Sequence, residues 1–271
     1  MHYVSGADES RFKRLKSFEL SFDQFGALAR LAHSLGLLFI STPFDLESAN
    51  FLAGTADALK IASGDNNFYP LIARAAESGK PLIVSTGLSD LAQVKRTVKF
   101  IEDKWGARRA AGHLAILHCI SAYPVPPEQA NLRAIPFLAK LLSCTVGYSD
   151  HTLGLEAAVT AVALGARIIE KHFTLDKNYS SFRDHQLSAD FFEMSELVKR
   201  VQLVNSMLGR PEKKVLAAEE GNIAAIRRSI VAGRDLPQGH RIALADLTWI
   251  RPGGGLEPGS EPSTLPNSPP L

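Results

Sequence analysis

His151 and His172 are the residues best suited to chemistry, because each follows a short apolar or β-branched run and stands among other polar groups. Ser149 and Asp150 precede the first, and Glu170 precedes the second. Neutral imidazole is a good ligand for divalent transition metals, and a nearby carboxylate orients water on such an ion. The runs themselves, Cys144 to Tyr148 and Arg167 to Ile169, flank a small-residue helix pattern over Leu155 to Leu164 that Gly165-Ala166 ends. That order predicts a strand, a crossover helix and a parallel strand. Such a unit delivers the C-terminal ends of both strands to one side of a sheet. The two imidazoles are thereby expected within reach of one metal ion or one substrate.

The elements that must position them recur along the chain. Ser21 reads as an N-cap for a helix with Phe22, Phe25, Leu28, Ala29, Leu31 and Ala32 on one stripe, stopped by Gly36. Unbroken apolar strands are predicted at 37–41, 58–62, 81–85 and 114–119, with helices over 67–78, 89–103 and 131–140 between them. A last helix spans 190–208, after a loop from Asp176 to Asp190. Strands without polar alternation mean a parallel sheet covered on its other face. Each strand ends in a short run of Ser, Thr, Asp or His, which puts polar chemistry on one rim, as in a (β/α)8 barrel. Six strands fall short of eight, and the first predicted element is a helix. The expectation is therefore a (β/α)8 TIM barrel lacking its first two β/α units.

Past Gly209-Arg210-Pro211 the character changes. A charged linker leads to short strands at 229–232, 241–244 and 247–250, and Gly, Pro and Ser dominate the C-terminus. The expected organisation is a partial barrel over 1–210, a linker over 211–225, a small β-rich module over 226–254 and a disordered tail over 255–271.

Bulk composition narrows the function classes. Net charge is +2, from 30 basic and 28 acidic residues, which gives no electrostatic case for nucleic acid or membrane. No apolar run approaches the roughly 18 residues of a spanning helix, and no N-terminal apolar segment suggests export. Cys119 and Cys144 fall inside predicted strands without a Cys-x-x-Cys, so a reducing cytoplasm is the expected compartment. His118 and Cys119 read as packing residues or as supports behind the site, and neither cysteine is expected to have a nearby base that would make it a nucleophile.

Six phrases, in order, carry a resemblance. They are Ser41-Thr42-Pro43-Phe44-Asp45, Lys60-Ile61-Ala62-Ser63-Gly64-Asp65, Ser85-Thr86-Gly87, His118-Cys119 with Tyr123-Pro124, Gly147 with Ser149-Asp150-His151-Thr152, and Glu170-Lys171-His172-Phe173-Thr174. The chain resembles the sialic acid (N-acetylneuraminate) synthase family, which includes legionaminic and pseudaminic acid synthases. The segment after 225 looks like the start of that family's antifreeze-like (SAF) domain. The resemblance implies a transferase in carbohydrate biosynthesis. Phosphoenolpyruvate condenses with an N-acyl hexosamine such as N-acetylmannosamine, giving a nonulosonic acid and phosphate. It also implies a divalent metal, Mn²⁺ or Mg²⁺, and a homodimer that exchanges the C-terminal module.

Carried over position by position, the resemblance makes His151 and His172 the metal ligands and Glu170 a catalytic carboxylate beside them. Thr42, Lys60, Ser63, Ser85 and Ser149 match positions that hold phosphoenolpyruvate, Lys60 with a catalytic part as well. Asp65 matches a catalytic carboxyl that is commonly Glu in the family. Tyr123, Ser121 and Asp184 match positions near the sugar, with Asn67 as a lesser candidate. The loop Ser180-Ser181-Phe182-Arg183-Asp184-His185 departs from the family's Pro-Gly-Pro-Asp-His. The family's Glu and Lys on its first two strands, and an Arg late in its SAF domain, have no counterpart here. Two other readings fit the residues: a Schiff-base aldolase of the same barrel class using Lys60 or Lys171 as the amine, and a non-catalytic remnant that binds metal and phosphoenolpyruvate.

Overall fold

The computed structural model describes residues 9–180 and 183–260. Two expectations from the sequence lie outside the described residues: Ser181 and Phe182 of the substituted loop, and the tail beyond 260. The chain divides into two compact units, Met1–Gly209 and Arg210–Leu271.

In the first unit the elements run α1 (Glu9–Lys16), α2 (Phe22–Ser34), β1 (Ile40–Ser41), α3 (Leu46–Thr55), β2 (Ala58–Ile61), α4 (Tyr69–Glu77), β3 (Leu82–Ser85), α5 (Leu91–Trp105) and α6 (Ala107–His113). They continue with β4 (Leu114–Cys119), α7 (Ala134–Leu141), β5 (Thr145–Asp150), α8 (Glu156–Ala163), β6 (Ile169–Lys171), α9 (Arg183–Leu187) and α10 (Phe191–Leu208). Among the described residues the six strands form one parallel sheet in the order β1-β2-β3-β4-β5-β6.

The predicted N-cap is in place: Ser21 Oγ accepts from Gln24 N while Gln24 Oε1 accepts from Ser21 N, a capping box that satisfies two of the helix's free N–H groups. Aspartates do the same for α3 and α5, where Asp45 and Asp90 accept from the backbone three residues on. The outer face of the sheet packs Leu59, Ile61, Leu82, Val84, Ile116, Val146 and Tyr148 against Leu71, Ile72, Val98, Ile101 and Ile135 of the covering helices. Each such side chain contributes about 1.5–3 kcal/mol by leaving water. This layer holds the strand ends in fixed register. Gly147 has a more local reason: a Cβ there would lie 2.5 Å from the Ile168 carbonyl oxygen and 2.6 Å from Leu117 Cδ2. Only glycine lets β5 come this close to its neighbours.

Several boundaries differ from expectation. β1 is two residues, not five, because its ladder partner begins only at Ala58, opposite Ile40. The last pairing slides toward the C-terminus, so Glu170 and Lys171 join the ladder opposite Ser149 and Asp150. Helices α3, α6 and α9 were not anticipated; the last lies inside the expected 176–190 loop.

The second unit holds α11 (Ala217–Glu220), α12 (Ile223–Ile226), β7 (Ser229–Ala232) and β8 (Leu247–Ile250), the strands antiparallel. The strand expected at 241–244 is absent; a 3-10 turn (Leu244–Asp246) stands there instead. Its organiser is Asp246, whose buried carboxylate accepts from Ala243 N (2.9 Å), His240 Nε2 (2.7 Å) and the Arg234 guanidinium (Nε, 3.0 Å). Those donors, the backbone N–H foremost, hold its pKa well below the usual carboxylate range. Leu256, expected within the disordered tail, instead exchanges both backbone hydrogen bonds with Ile230 (2.8 and 3.1 Å).

Candidate active site

Strand side chains alternate between faces, so the inner face of the sheet collects one residue in two. Lys60 on β2, Ile83 and Ser85 on β3, Leu117 and Cys119 on β4, Ser149 on β5 and Glu170 on β6 share that parity. A cavity of about 870 Å³ opens there, with Thr42, Lys60 and Glu170 in its lining. Lys60 is buried, and among the described residues its ammonium makes only long contacts, 3.4 Å to Glu170 Oε2 and 3.5 Å to the Ile61 carbonyl. Glu170 is fixed from the other side by the Ser149 hydroxyl, which donates to Oε1 at 2.6 Å.

Beyond the strand ends the two histidines meet. Their ring centroids lie 5.2 Å apart in a T-shaped arrangement, and the Tyr123 ring lies 4.2 Å from His151 and 5.9 Å from His172. The Ile120 carbonyl accepts from His151 Nδ1 at 2.9 Å, so that nitrogen carries the hydrogen and Nε2 has its lone pair whenever the ring is neutral. His172 is pushed below the ordinary histidine range, first by burial and then by the charge of His151, which favours the neutral ring. Burial also opposes charge on His151, but contacts with Cys119 and the Ile120 carbonyl outweigh it and draw its pKa up. Cys119 Sγ lies 3.9 Å from His151 Nδ1 and 3.5 Å from the Ser63 hydroxyl. The expectation that no base stands near Cys119 is therefore corrected: a ring from the rim after β5 reaches a β4 side chain.

A hydroxyl cluster surrounds the end of β3. Gly87 N donates to Ser63 Oγ at 3.1 Å, and a Cβ at position 87 would lie 2.7 Å from that oxygen and 2.2 Å from Ser121 Oγ. Among the described residues, Ser85 Oγ and Ser121 Oγ are buried without a hydrogen-bond partner. Burying an unpaired hydroxyl costs about 1–3 kcal/mol, a cost a bound acceptor would remove. Asp65, at the end of the 3-10 turn Ser63–Asp65, has its carboxyl pKa raised by burial. Asp184 lies half-buried in α9, close enough for its charge to act on His172. Asn67 is exposed.

Its neighbour Asn66 was missed by sequence reasoning. Buried, it donates to the Ser85 and Gly87 carbonyls (3.2 and 3.1 Å), and its own carbonyl accepts from Thr97 Oγ1 at 2.8 Å. Lys171 occupies the outer face. Its ammonium lies 2.9 Å from Asp150 Oδ2 and donates to the Thr152 carbonyl at 2.6 Å, with the side chain 2% exposed. An amine so enclosed is unavailable as a Schiff-base nucleophile in this conformation.

Fold and rim together define a parallel α/β protein whose polar groups gather at strand C-termini, the face on which barrel enzymes of this class build their sites. Residues 2–213 match the NeuB family and residues 227–265 the SAF domain. The chain is 40% identical over 260 residues to N,N'-diacetyllegionaminic acid synthase of Legionella pneumophila, covering 96% of this chain and 72% of that protein. It is 46% identical over 247 residues to an uncharacterized protein of Methanocaldococcus jannaschii, covering 91% and 72%. A solved structure, N-acetylneuraminic acid synthetase of Leptospira borgpetersenii in complex with citrate, superposes with a TM-score of 0.75 at 32% identity, covering 80% of this chain and 74% of that one. The chain belongs to the NeuB family of acid synthases and carries the start of a SAF domain. No helix among the described residues is long and apolar enough to cross a membrane.

Proposed function

We propose that this chain condenses phosphoenolpyruvate with the aldehyde of an N-acyl hexosamine, N-acetylmannosamine or a relative, and that His151 and His172 hold a divalent metal in the reaction. The observation that carries the reading is an under-used ammonium, Lys60, on the inner face of a sheet whose rim also carries two buried hydroxyls unpaired among the described residues, Ser85 and Ser121, and a crossed pair of imidazoles. In the overall balance, C3 of the enol forms a bond to the aldehyde carbon and the aldehyde oxygen gains a proton. Water supplies the new oxygen at C2, and the C2–O bond to phosphate breaks.

The residues present fit a divalent ion. His151 Nε2 is left free by the Ile120 contact, and burial favours the neutral form of His172. No group of three or more His, Cys, Asp or Glu converges among the described residues, so water and substrate oxygens would complete the shell. Two nitrogen ligands favour Mn²⁺ over Mg²⁺, whose preference is for oxygen. When bound, the ion supplies Lewis-acid polarisation of a carbonyl oxygen.

The remaining work falls to side chains. Lys60 has three donors and only two long contacts, so it can turn to the phosphate or carboxylate of phosphoenolpyruvate with little loss. Ser85 and Ser121 offer buried donors, and Thr42 and Ser63 extend the same rim. Ser149 holds the Glu170 carboxylate in one orientation. Asp65 retains its proton to higher pH than a solvated aspartate, which suits it to proton transfer near the reacting carbons. Tyr123 forms one wall of the histidine pair, and Asp184 approaches from α9. Six parallel strands in sequential order, with β1 and β6 as edges among the described residues, match six consecutive β/α units of a (β/α)8 barrel. Biosynthetic chemistry of this kind, with a homodimer in the cytoplasm, completes the proposal.

The test is phosphate release by the purified chain with Mn²⁺, phosphoenolpyruvate and N-acetylmannosamine, with the product identified by mass. Release should need both substrates, stop in EDTA and return with Mn²⁺. Release without a sugar, or none with any N-acyl hexosamine, would reject the reading.

A further inference from the structure

The outer face of β5 and β6 carries an ion pair that the proposed reaction does not use. Asp150 and Lys171 are partners in the last described rung of the β5–β6 ladder, and each immediately precedes one of the two histidines. Asp150 Oδ2 receives Lys171 Nζ at 2.9 Å, while Oδ1 accepts from Thr152 N and Thr152 Oγ1, both at 2.8 Å, and from Tyr148 OH at 3.3 Å. Lys171 then donates to the Thr152 carbonyl at 2.6 Å. Every backbone polar group of Thr152, and its hydroxyl, is therefore held by this one pair. His151 lies between the two residues so fixed, with its carbonyl accepting from Val125 N at 2.9 Å. His172 follows Lys171, and its carbonyl accepts from Ala189 N at 2.8 Å.

Burying two charges is costly, and well-packed apolar residues are often as stable or more so. The two side chains are 2% and 0% exposed, so stability alone is a weak reason for their presence. What the pair does provide is a fixed distance and angle between the backbones that bear the two imidazoles.

We propose that Asp150, Lys171 and Thr152 form a clamp behind the sheet that sets the relative placement of His151 and His172, and so the affinity of that pair for a divalent cation. They are positioning residues, since none reaches the inner face. The inference rests on the metal reading given above.

Mn²⁺ binding to the full chain, followed by the electron paramagnetic resonance of free Mn²⁺, tests it together with ¹⁵N spectra of the histidine rings in the metal-free protein. Lys171→Met should weaken Mn²⁺ binding about 10–100-fold, the range seen when groups behind a metal ligand are lost, and Lys171→Arg should restore most of it. The metal-free spectrum should change from a single Nδ1–H form of His151 toward a mixture in Lys171→Met. Thr152→Val keeps the ion pair and removes one hydroxyl. It should fold even if Lys171→Met does not, and should weaken Mn²⁺ binding by several-fold. Unaltered affinity in every folded variant, with wild type binding, overturns the clamp alone. Failure of wild type to bind Mn²⁺ overturns the metal reading, and the ring spectra then decide the clamp: an unchanged His151 tautomer in the variants would sink it.

Discussion

Lys171 and Asp150 meet at 2.9 Å on the outer face of the sheet, with side chains 2% and 0% exposed. Lys60 and Glu170 meet at 3.4 Å on the inner face, where the Glu170 side chain is 41% exposed. Both pairs are a lysine and a carboxylate on the same six strands. In the first, the carboxylate has four donors and the ammonium has a second acceptor in the Thr152 carbonyl. In the second, the ammonium has no polar contact shorter than 3.4 Å among the described residues. Local dielectric turns this geometric difference into an energetic one. A dry pair is costly to break because a lone charge remains, whereas a half-wet one is worth about 0–1 kcal/mol and exchanges partners readily. The outer pair fixes structure, and the inner one is free to meet a ligand.

Lys171→Met gives the sharpest break. It should destabilise the chain by about 3–5 kcal/mol in urea unfolding, since Asp150 would stay buried without its cation. A loss under 1 kcal/mol would erase the contrast between the pairs. Lys60→Met should do the reverse, leaving the unfolding midpoint nearly unmoved while kcat/KM for phosphoenolpyruvate falls about 10²–10³-fold, the usual cost of removing one preorganised charge-stabilising donor. A comparable loss of stability would instead make Lys60 structural.

Asp65 supplies a third case, a carboxyl for which the described residues show no ion pair and whose pKa burial raises. A folded-state pKa above the unfolded value means the folded chain binds more protons. Stability is therefore lost as pH rises from the unfolded value of 3.8 through the raised one. Asp65→Asn removes that loss, so the variant's melting temperature should gain on wild type between pH 3.5 and pH 7. No gain would mean that Asp65 has a partner when folded.

Much of this was legible in the chain. Hydroxyl, acid and histidine residues punctuate the apolar strands, so the rim could be read before any coordinates. Alternation puts Lys171 and the adjacent Glu170 on opposite faces of their strand, whereas the place of Lys60 at the site came only with the family resemblance. Other features depended on distance through space. Nothing in the order of residues says that Cys119 meets His151, because a β4 side chain and a loop after β5 converge only once the sheet is paired. Asn66 and Asn67 are adjacent and identical in type, and burial alone separates the one that braces β3 from the one in solvent. The strand expected at 241–244 failed because Asp246, a few residues later, captures that backbone in a turn.

The sequential strand order has a consequence for how the protein is made. Each strand of the sheet after β1 pairs with the one synthesised just before it, so no rung among the described residues waits for a segment further along the chain. On the ribosome the nascent chain can add one strand and its helix at a time onto a surface already formed. Each newly emerged β/α unit finds its template waiting, on the edge away from β1.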